Sequence, residues 1–316
     1  MIQKEYPKIA LGTWSWGTGA AGGDQVFGNN LGANDLKEVF GRAMKAGLTL
    51  WDTAAVYGMG SSESIVGELA QSYSRDELVL STKFTPQIEN GTPHAMSDML
   101  AESCARLHTD YIDIYWTHNP MDVEKYTPML IPLLKEKKIK SVGVSNHNLK
   151  EIKRANEILA AEGFTISAVQ NHYSLLYRES EEAGIIDYCR EHHITFFSYM
   201  VLEQGALSGK YDTRHPLPEG SGRGMTYNSQ LPQIERLVEV MREIGEKHHV
   251  TVAQVAMAWA IAKHTLPIIG VTKPEQVEAA AAAALVSLSA EEVAQMEAAA
   301  AQTGAQTRGS WEKPMV

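Results

Sequence analysis

Eight short runs rich in β-branched and aromatic residues recur along the chain, at 9–14, 48–53, 78–84, 111–118, 139–144, 168–171, 195–199 and 267–271. Between them lie segments whose apolar residues repeat every three or four positions. Leu36, Val39, Phe40, Ala43 and Met44, for example, fall on one face of a helix that Asn34 is expected to cap and Gly47 to end. Further helices are expected at 61–70, 93–107, 148–161, 184–192, 232–248 and 252–264. One more, at 123–137, is interrupted by Pro128 and Pro132. Strands that alternate with helices are joined by crossovers and therefore run parallel.

Eight such units in 316 residues suit a closed (β/α)8 TIM barrel of the α/β class better than an open sheet. No shift in composition marks a boundary, so residues 1–316 are expected to form a single domain. It carries extra C-terminal helices at 274–284 and 290–301 and a long Gly- and Pro-rich loop at 201–229 after the seventh strand. Loops of that length are usually functional or mobile. Apolar residues at 44% supply a core, and a net charge of −10 excludes a chain-wide basic footprint for nucleic acid. No apolar run approaches the ~20 residues of a membrane span. The opening residues do not read as a leader, so a cytoplasmic setting with no membrane partner is the expectation. Cys104 and Cys189 form no metal-spaced pair and read as reduced thiols, and no metal site is expected. The sequence leaves the oligomeric state open.

The run Gly17-Thr18-Gly19-Ala20-Ala21-Gly22 fits the spacing GxGxxG of a dinucleotide fingerprint. That fingerprint works by opening a helix whose N-terminus faces a pyrophosphate. Residues 23–30 do not continue as an amphipathic helix, and no strand ends in an acid at the required distance. A flexible loop bordering the cleft is the better reading.

Chemistry gathers instead at the ends of strands two, three and four. Asp52 closes the second, Tyr57 follows it in a turn marked by Gly58 and Gly60, Lys83 closes the third and His118 the fourth. Barrel enzymes place their reacting groups at these C-terminal ends. Reducing a carbonyl requires a proton donor at its oxygen. A tyrosine can serve if a nearby lysine ammonium stabilises its phenolate and lowers its pKa, a carboxylate fixes the lysine and a histidine orients the carbonyl. Each residue alone has a structural reading: a turn cap, a packed aromatic, a strand-end cation, a hydrogen-bonded turn imidazole. Their joint placement favours chemistry.

Several ordered segments resemble the aldo-keto reductase superfamily, in particular the branch of bacterial reductases and potassium-channel β-subunit-like members. They are DTAAVYG at 52–58 with Ser62-Glu63, STKF at 81–84, YIDIYWTHNP at 111–120, GVSN at 143–146, VQNHYS at 169–174 and GALSGKY at 205–211. The resemblance implies NAD(P)H-dependent reduction of a small aldehyde or ketone. Tyr57 would be the general acid, with Lys83 and Asp52 tuning it and His118 positioning the carbonyl. It also implies that Ser145, Asn146 and Gln170 hold the nicotinamide carboxamide and that Tyr199 stacks on the ring. The pyrophosphate would lie along Gly205 to Lys210. Arg223 and Lys273 would reach an adenosine 2′-phosphate, and Thr13, Trp14, Asp52, Gly270, Thr272 and Gln276 would complete the cofactor groove.

The chain departs from the family pattern at the adenosine end. Gln276 stands where many members carry arginine, and Ala279-Ala280 where they carry Glu-Asn, so NADPH is the expected cofactor with NADH possible. Glu203 replaces the usual alanine and is expected to point away from phosphate. Trp14, Trp16, Trp116 and Asn119 are expected near the cleft, and the tail around Trp311 to close over it. Two other readings compete: an NADPH-binding regulatory or scaffold subunit with little turnover, and a barrel enzyme without redox chemistry.

Overall fold

The structure, a computed structural model, describes residues 6–315. Residues 1–5, part of the opening stretch read as lacking a leader, and residue 316 lie outside it. Eight parallel strands close into a barrel in chain order: β1 Ala10–Gly12, β2 Leu50–Asp52, β3 Val79–Phe84, β4 Ile112–Thr117, β5 Ile139–Ser145, β6 Ala168–His172, β7 Thr195–Tyr199 and β8 Leu266–Gly270. β8 pairs with β1 to complete the ring.

All eight expected strands are present, with shifted ends. The first keeps three of its six expected residues, because the chain turns after Thr13, where the Trp16 amide donates to the Thr13 carbonyl. The first long helix, Ala33–Lys45, begins at Gly32 rather than Asn34. The Gly32 amide donates to the Asp35 carboxylate at 2.9 Å, which leaves Asn34 inside the first turn. The helix expected across 123–137 is three pieces, Val123–Tyr126, a 3-10 turn Thr127–Met129, and Leu130–Lys135, as its two prolines require. Two loops are more ordered than expected. Residues 23–27 form a single short helix, too brief to serve as a dinucleotide-binding helix. The loop after β7 contains a 3-10 segment Glu203–Ser208 and a helix Gly222–Tyr227. Ala206, Leu217, Tyr227, Leu231 and Ile234 pack there into a cluster of their own.

Side chains of a strand alternate between the barrel interior and the surrounding helices. Inside, Ala10, Leu50, Val79, Ile114, Trp116, Ala168, Phe197 and Leu266 fill the barrel beneath the polar rim. Trp116 is the largest of them and meets Phe197 edge-on at 5.2 Å. Its room comes from the neighbouring strand: a Cβ on Gly143 would lie 2.1 Å from the Trp116 ring. Outside, Trp51 stacks on Phe40 of the first long helix at 4.2 Å, and the remaining helices seal the other strand faces. Trp16 and Trp116, expected near the cleft, are fully buried, and Trp116 reaches the site only from beneath, through its indole N–H on Ser81.

The same alternation places the polar rim. In register, Gly12 faces Asp52, Asp52 faces Ser81, Lys83 faces Trp116, Ser145 faces Gln170 and His172 faces Tyr199. Ser81 and Lys83, two apart, share the inward face of β3. Thr82 between them turns outward and donates to Glu63 at 2.5 Å, and Arg106 neutralises that acid at 2.7 Å. Among the described residues, no helix is long and apolar enough to cross a membrane, and no group of three His, Cys, Asp or Glu is placed to hold a metal ion.

Candidate active site

Lys83 stands at the rim with no exposure to solvent. Its ammonium donates to Asp52 Oδ2 at 2.5 Å and to the Thr53 carbonyl at 2.7 Å. The other oxygen of Asp52 accepts from Ser81 at 2.7 Å and from the Gln170 amide at 3.3 Å. Ser81 is itself held by the Trp116 indole N–H at 2.6 Å. Removing two charges from water is costly unless they are paired and their remaining valences satisfied, and these bonds meet that condition. Burial lowers the Lys83 pKa below its ordinary value, and the attraction of Asp52 only partly offsets it.

Tyr57 lies above this pair, its ring centroid 5.3 Å from the Lys83 nitrogen. The turn that carries it is strained. Gly58, Met59 and Gly60 all have positive φ, and Met59 is not a residue that adopts this readily. Tyr57 meets the His118 ring edge-on at 5.9 Å and stacks on Trp14 at 5.9 Å. One expectation is corrected here. Lys83 was expected to bring the phenol pKa down; the pKa is raised instead, by burial first and then by the Asp52 charge. Burial thus holds Tyr57 as a neutral phenol with a proton to give. His118 is neutral as well: burial and then the Lys83 charge hold its pKa well below 6.5. Thr85 Oγ1 fixes its Nδ1 side at 2.9 Å.

Beside these four groups, Ser145, Asn146 and Gln170 line the rim at the ends of β5 and β6. Asn146 adopts φ 61°, a left-handed conformation that asparagine tolerates. Its amide donates to the His118 carbonyl at 2.9 Å, and its Oδ1 faces the Tyr199 hydroxyl at 2.6 Å. The β7 loop then passes over the barrel mouth. Gly205 adopts φ 108°, and a Cβ there would sit 3.2 Å from the Tyr211 ring. Arg223 makes one long hydrogen bond, 3.5 Å to the Gln204 carbonyl, its guanidinium carbon lies 5.9 Å from the Tyr211 ring centroid, and its buried Nε has no hydrogen-bond partner. A guanidinium so sparsely used beside a glycine-rich turn suits a phosphate. Lys210 is exposed on the same loop. The loop at 17–32 faces it across the groove, its short helix 23–27 touching the helix 222–227.

Thr13 is buried, its hydroxyl tied to the Asp52 carbonyl at 3.2 Å and to Ser62 at 2.8 Å. Gly270 ends β8, with Thr272 and exposed Lys273 just beyond. Gln276 caps its own helix: its Oε1 accepts from the Thr272 and Lys273 amides at 2.7 and 3.0 Å. Ala280 is buried against the core.

Glu203 points inward, fully buried. It accepts from Ser174, from His172 at 2.9 Å, from Tyr227 at 2.6 Å and from Thr307 at 3.2 Å. Two residues of this region were not singled out in the sequence, His172 and Glu312. His172 had a legible signal, since strand alternation places it on the same face as Gln170. Glu312 had none, because it lies in the irregular tail. The tail does close over the cleft, as its tryptophan suggested: Trp311 meets Trp14 edge-on at 5.8 Å.

The aldo/keto reductase family profile matches residues 8–301. The chain belongs to the aldo/keto reductase family. It is 31% identical to aldo-keto reductase str7 of Strobilurus tenacellus, across 90% of this chain and 86% of that protein. It is 29% identical to the chloroplastic pyridoxal reductase of Arabidopsis thaliana, across 93% and 83%. Among solved structures it is similar to an aldo/keto reductase from Klebsiella pneumoniae in complex with NADP and acetate. That likeness has 26% identity and a TM-score of 0.69, and covers 98% of this chain and 95% of that one. Membership makes this chain an oxidoreductase of the family's kind.

Proposed function

We propose that the protein reduces an aldehyde or ketone to an alcohol using NADPH, with NADH as the second candidate carrier. The observation that carries this reading is the buried Lys83–Asp52 pair set beneath a neutral Tyr57 phenol, with neutral His118 facing the same space. When bound, the cofactor supplies the hydride. The chain supplies the rest. His118 orients the carbonyl oxygen. Tyr57 hydrogen-bonds that oxygen and gives up its proton as negative charge develops there. The nearby Lys83 ammonium stabilises the resulting phenolate, and Asp52 holds Lys83 in place.

Ser145, Asn146 and Gln170 are the groups that would hold a carboxamide, which needs both donors and acceptors, and Tyr199 would face the ring. Arg223, Lys210 and the turn at Gly205 would receive the phosphates. The groove's fit to a nicotinamide dinucleotide is supported by the unpartnered Arg223 Nε and by the Klebsiella relative's complex with NADP. Trp14, Phe27 and Trp311 form an aromatic mouth, with Phe27 5.3 Å from Trp14. This favours a partly apolar substrate. A scaffold subunit without turnover has no use for the catalytic four. A screen of aldehydes and ketones with each reduced cofactor, following loss of its absorbance, tests the reading. Turnover on at least one carbonyl is expected. Tight cofactor binding with no turnover on any of them would favour the scaffold instead.

A further inference from the structure

The glycine run at 17–22 leads into only a five-residue helix, and it folds back on the turn that carries Tyr57. Gly17, Gly19 and Ala21 have positive φ, of 76°, 112° and 54°. Loop and turn meet at one hydroxyl. Ser61 Oγ donates to the Thr18 carbonyl at 2.8 Å and accepts from the Thr18 amide at 3.1 Å. Glycines clear the space around that oxygen. A Cβ on Gly17 would lie 2.3 Å from it and one on Gly58 2.1 Å from it, while a Cβ on Gly19 would lie 3.3 Å from the Gly58 carbonyl oxygen. Side chains at these positions would push the loop and the turn apart.

The loop also reaches the Tyr57 ring. The Ala21 carbonyl accepts the Trp14 indole N–H at 3.1 Å, and Trp14 stacks on Tyr57. The main chain next to that ring is strained: Gly58, Met59 and Gly60 have φ of 57°, 49° and 93°. Such a turn keeps its shape only where its surroundings over-determine it. On one side Gly60 packs on Arg106, where a Cβ would come within 2.6 Å of the arginine side chain. On the other side stands the Ser61 contact with Thr18.

We propose that Ser61 is a positioning residue for the proton transfer, acting through Tyr57. Its hydroxyl ties the strained turn to the loop and so fixes where the phenol stands over Lys83. This rests on Tyr57 as the proton donor, as proposed above. Without the hydroxyl, the Thr18 amide and carbonyl turn to water, the turn shifts, and the phenol loses its alignment with the carbonyl oxygen. Misplacing a reacting group by about 1 Å can slow chemistry by about 10²-fold, and loosening one of several supports should cost about tenfold.

The test is single-turnover reduction of a carbonyl that the wild type reduces, with enzyme in excess and saturated with NADPH. Loss of cofactor absorbance is followed in H2O and in D2O. Ser61 is half-buried at the first position of its helix, so Ser61→Ala should fold with a melt close to wild type. It is expected to slow the reduction about tenfold and raise the solvent isotope effect, while NADPH affinity stays within about twofold. Gly17→Ala opens the same contact from the loop side and should slow the same step. Added to Ser61→Ala, it should slow that step by less than about twofold more. A Ser61→Ala rate within about twofold of wild type would overturn the inference. So would a slowing with an unchanged solvent isotope effect, or one matched by an equal loss of NADPH affinity. A wild type that turns over no carbonyl would overturn the reduction reading itself, and this inference with it.

Discussion

Lys83 and Asp52 form an ion pair of 2.5 Å in which neither side chain has appreciable access to water. Such a pair is fragile in a specific way. Taking out one partner strands the other charge in the interior, at a cost of roughly 3–5 kcal/mol. Lys83→Met and Asp52→Asn should each lower stability by about that much in urea denaturation. Replacing both together should cost clearly less than the two single changes combined. Additive losses would show that the two charges are not coupled.

The second prediction concerns the barrel interior. Gly143 is the only residue type that fits beside Trp116, because a Cβ would lie 2.1 Å from the indole. Gly143→Ala must displace a ring whose N–H also holds Ser81, and through it Asp52. A loss of about 1–3 kcal/mol is expected, together with lower turnover. A thermal melt indistinguishable from wild type would mean that Trp116 has another way to pack.

His172 gives a prediction in pH. Burial opposes its protonation, but the charges and hydrogen bonds of Glu203 and Glu312 outweigh burial and raise its pKa from the ordinary 6.5 to about 9. Tyr177, Tyr199 and Tyr227 also face this cluster. A pKa raised in the folded state stabilises the fold fully below the unfolded value and loses that contribution as pH rises through the folded one. Wild type should therefore lose on the order of 3 kcal/mol between pH ~6.5 and ~9. His172→Gln should lack that decline. Parallel curves for the two proteins in urea unfolding would contradict it.

The barrel could be read from the sequence because its strands are short, buried and separated by helices of clear periodicity, such as the one containing Leu36, Val39 and Phe40. The grouping of Asp52, Tyr57, Lys83 and His118 at one rim was readable for the same reason: each stands at or just past the end of an apolar run. What could not be read depends on distant parts of the chain meeting. Trp16 and Trp116 carry no mark that separates a cleft wall from a core residue, and Gly143 explains Trp116 only once the strands are paired. The direction of the Tyr57 shift follows from burial, which a residue list does not contain. Glu312 meets Tyr199 only when a tail more than a hundred residues beyond it folds back.

The central claim is that Tyr57 gives the proton in a reduction driven by a nicotinamide cofactor. The most direct measurement is steady-state reduction of a carbonyl substrate by wild type and Tyr57→Phe, paired with cofactor titration of both proteins. Loss of the proton donor should lower kcat by about 10²-fold or more while cofactor affinity stays within about twofold, since Tyr57 is not among the groups proposed to hold the dinucleotide. Retention of wild-type turnover in Tyr57→Phe, with cofactor still bound, would contradict the claim.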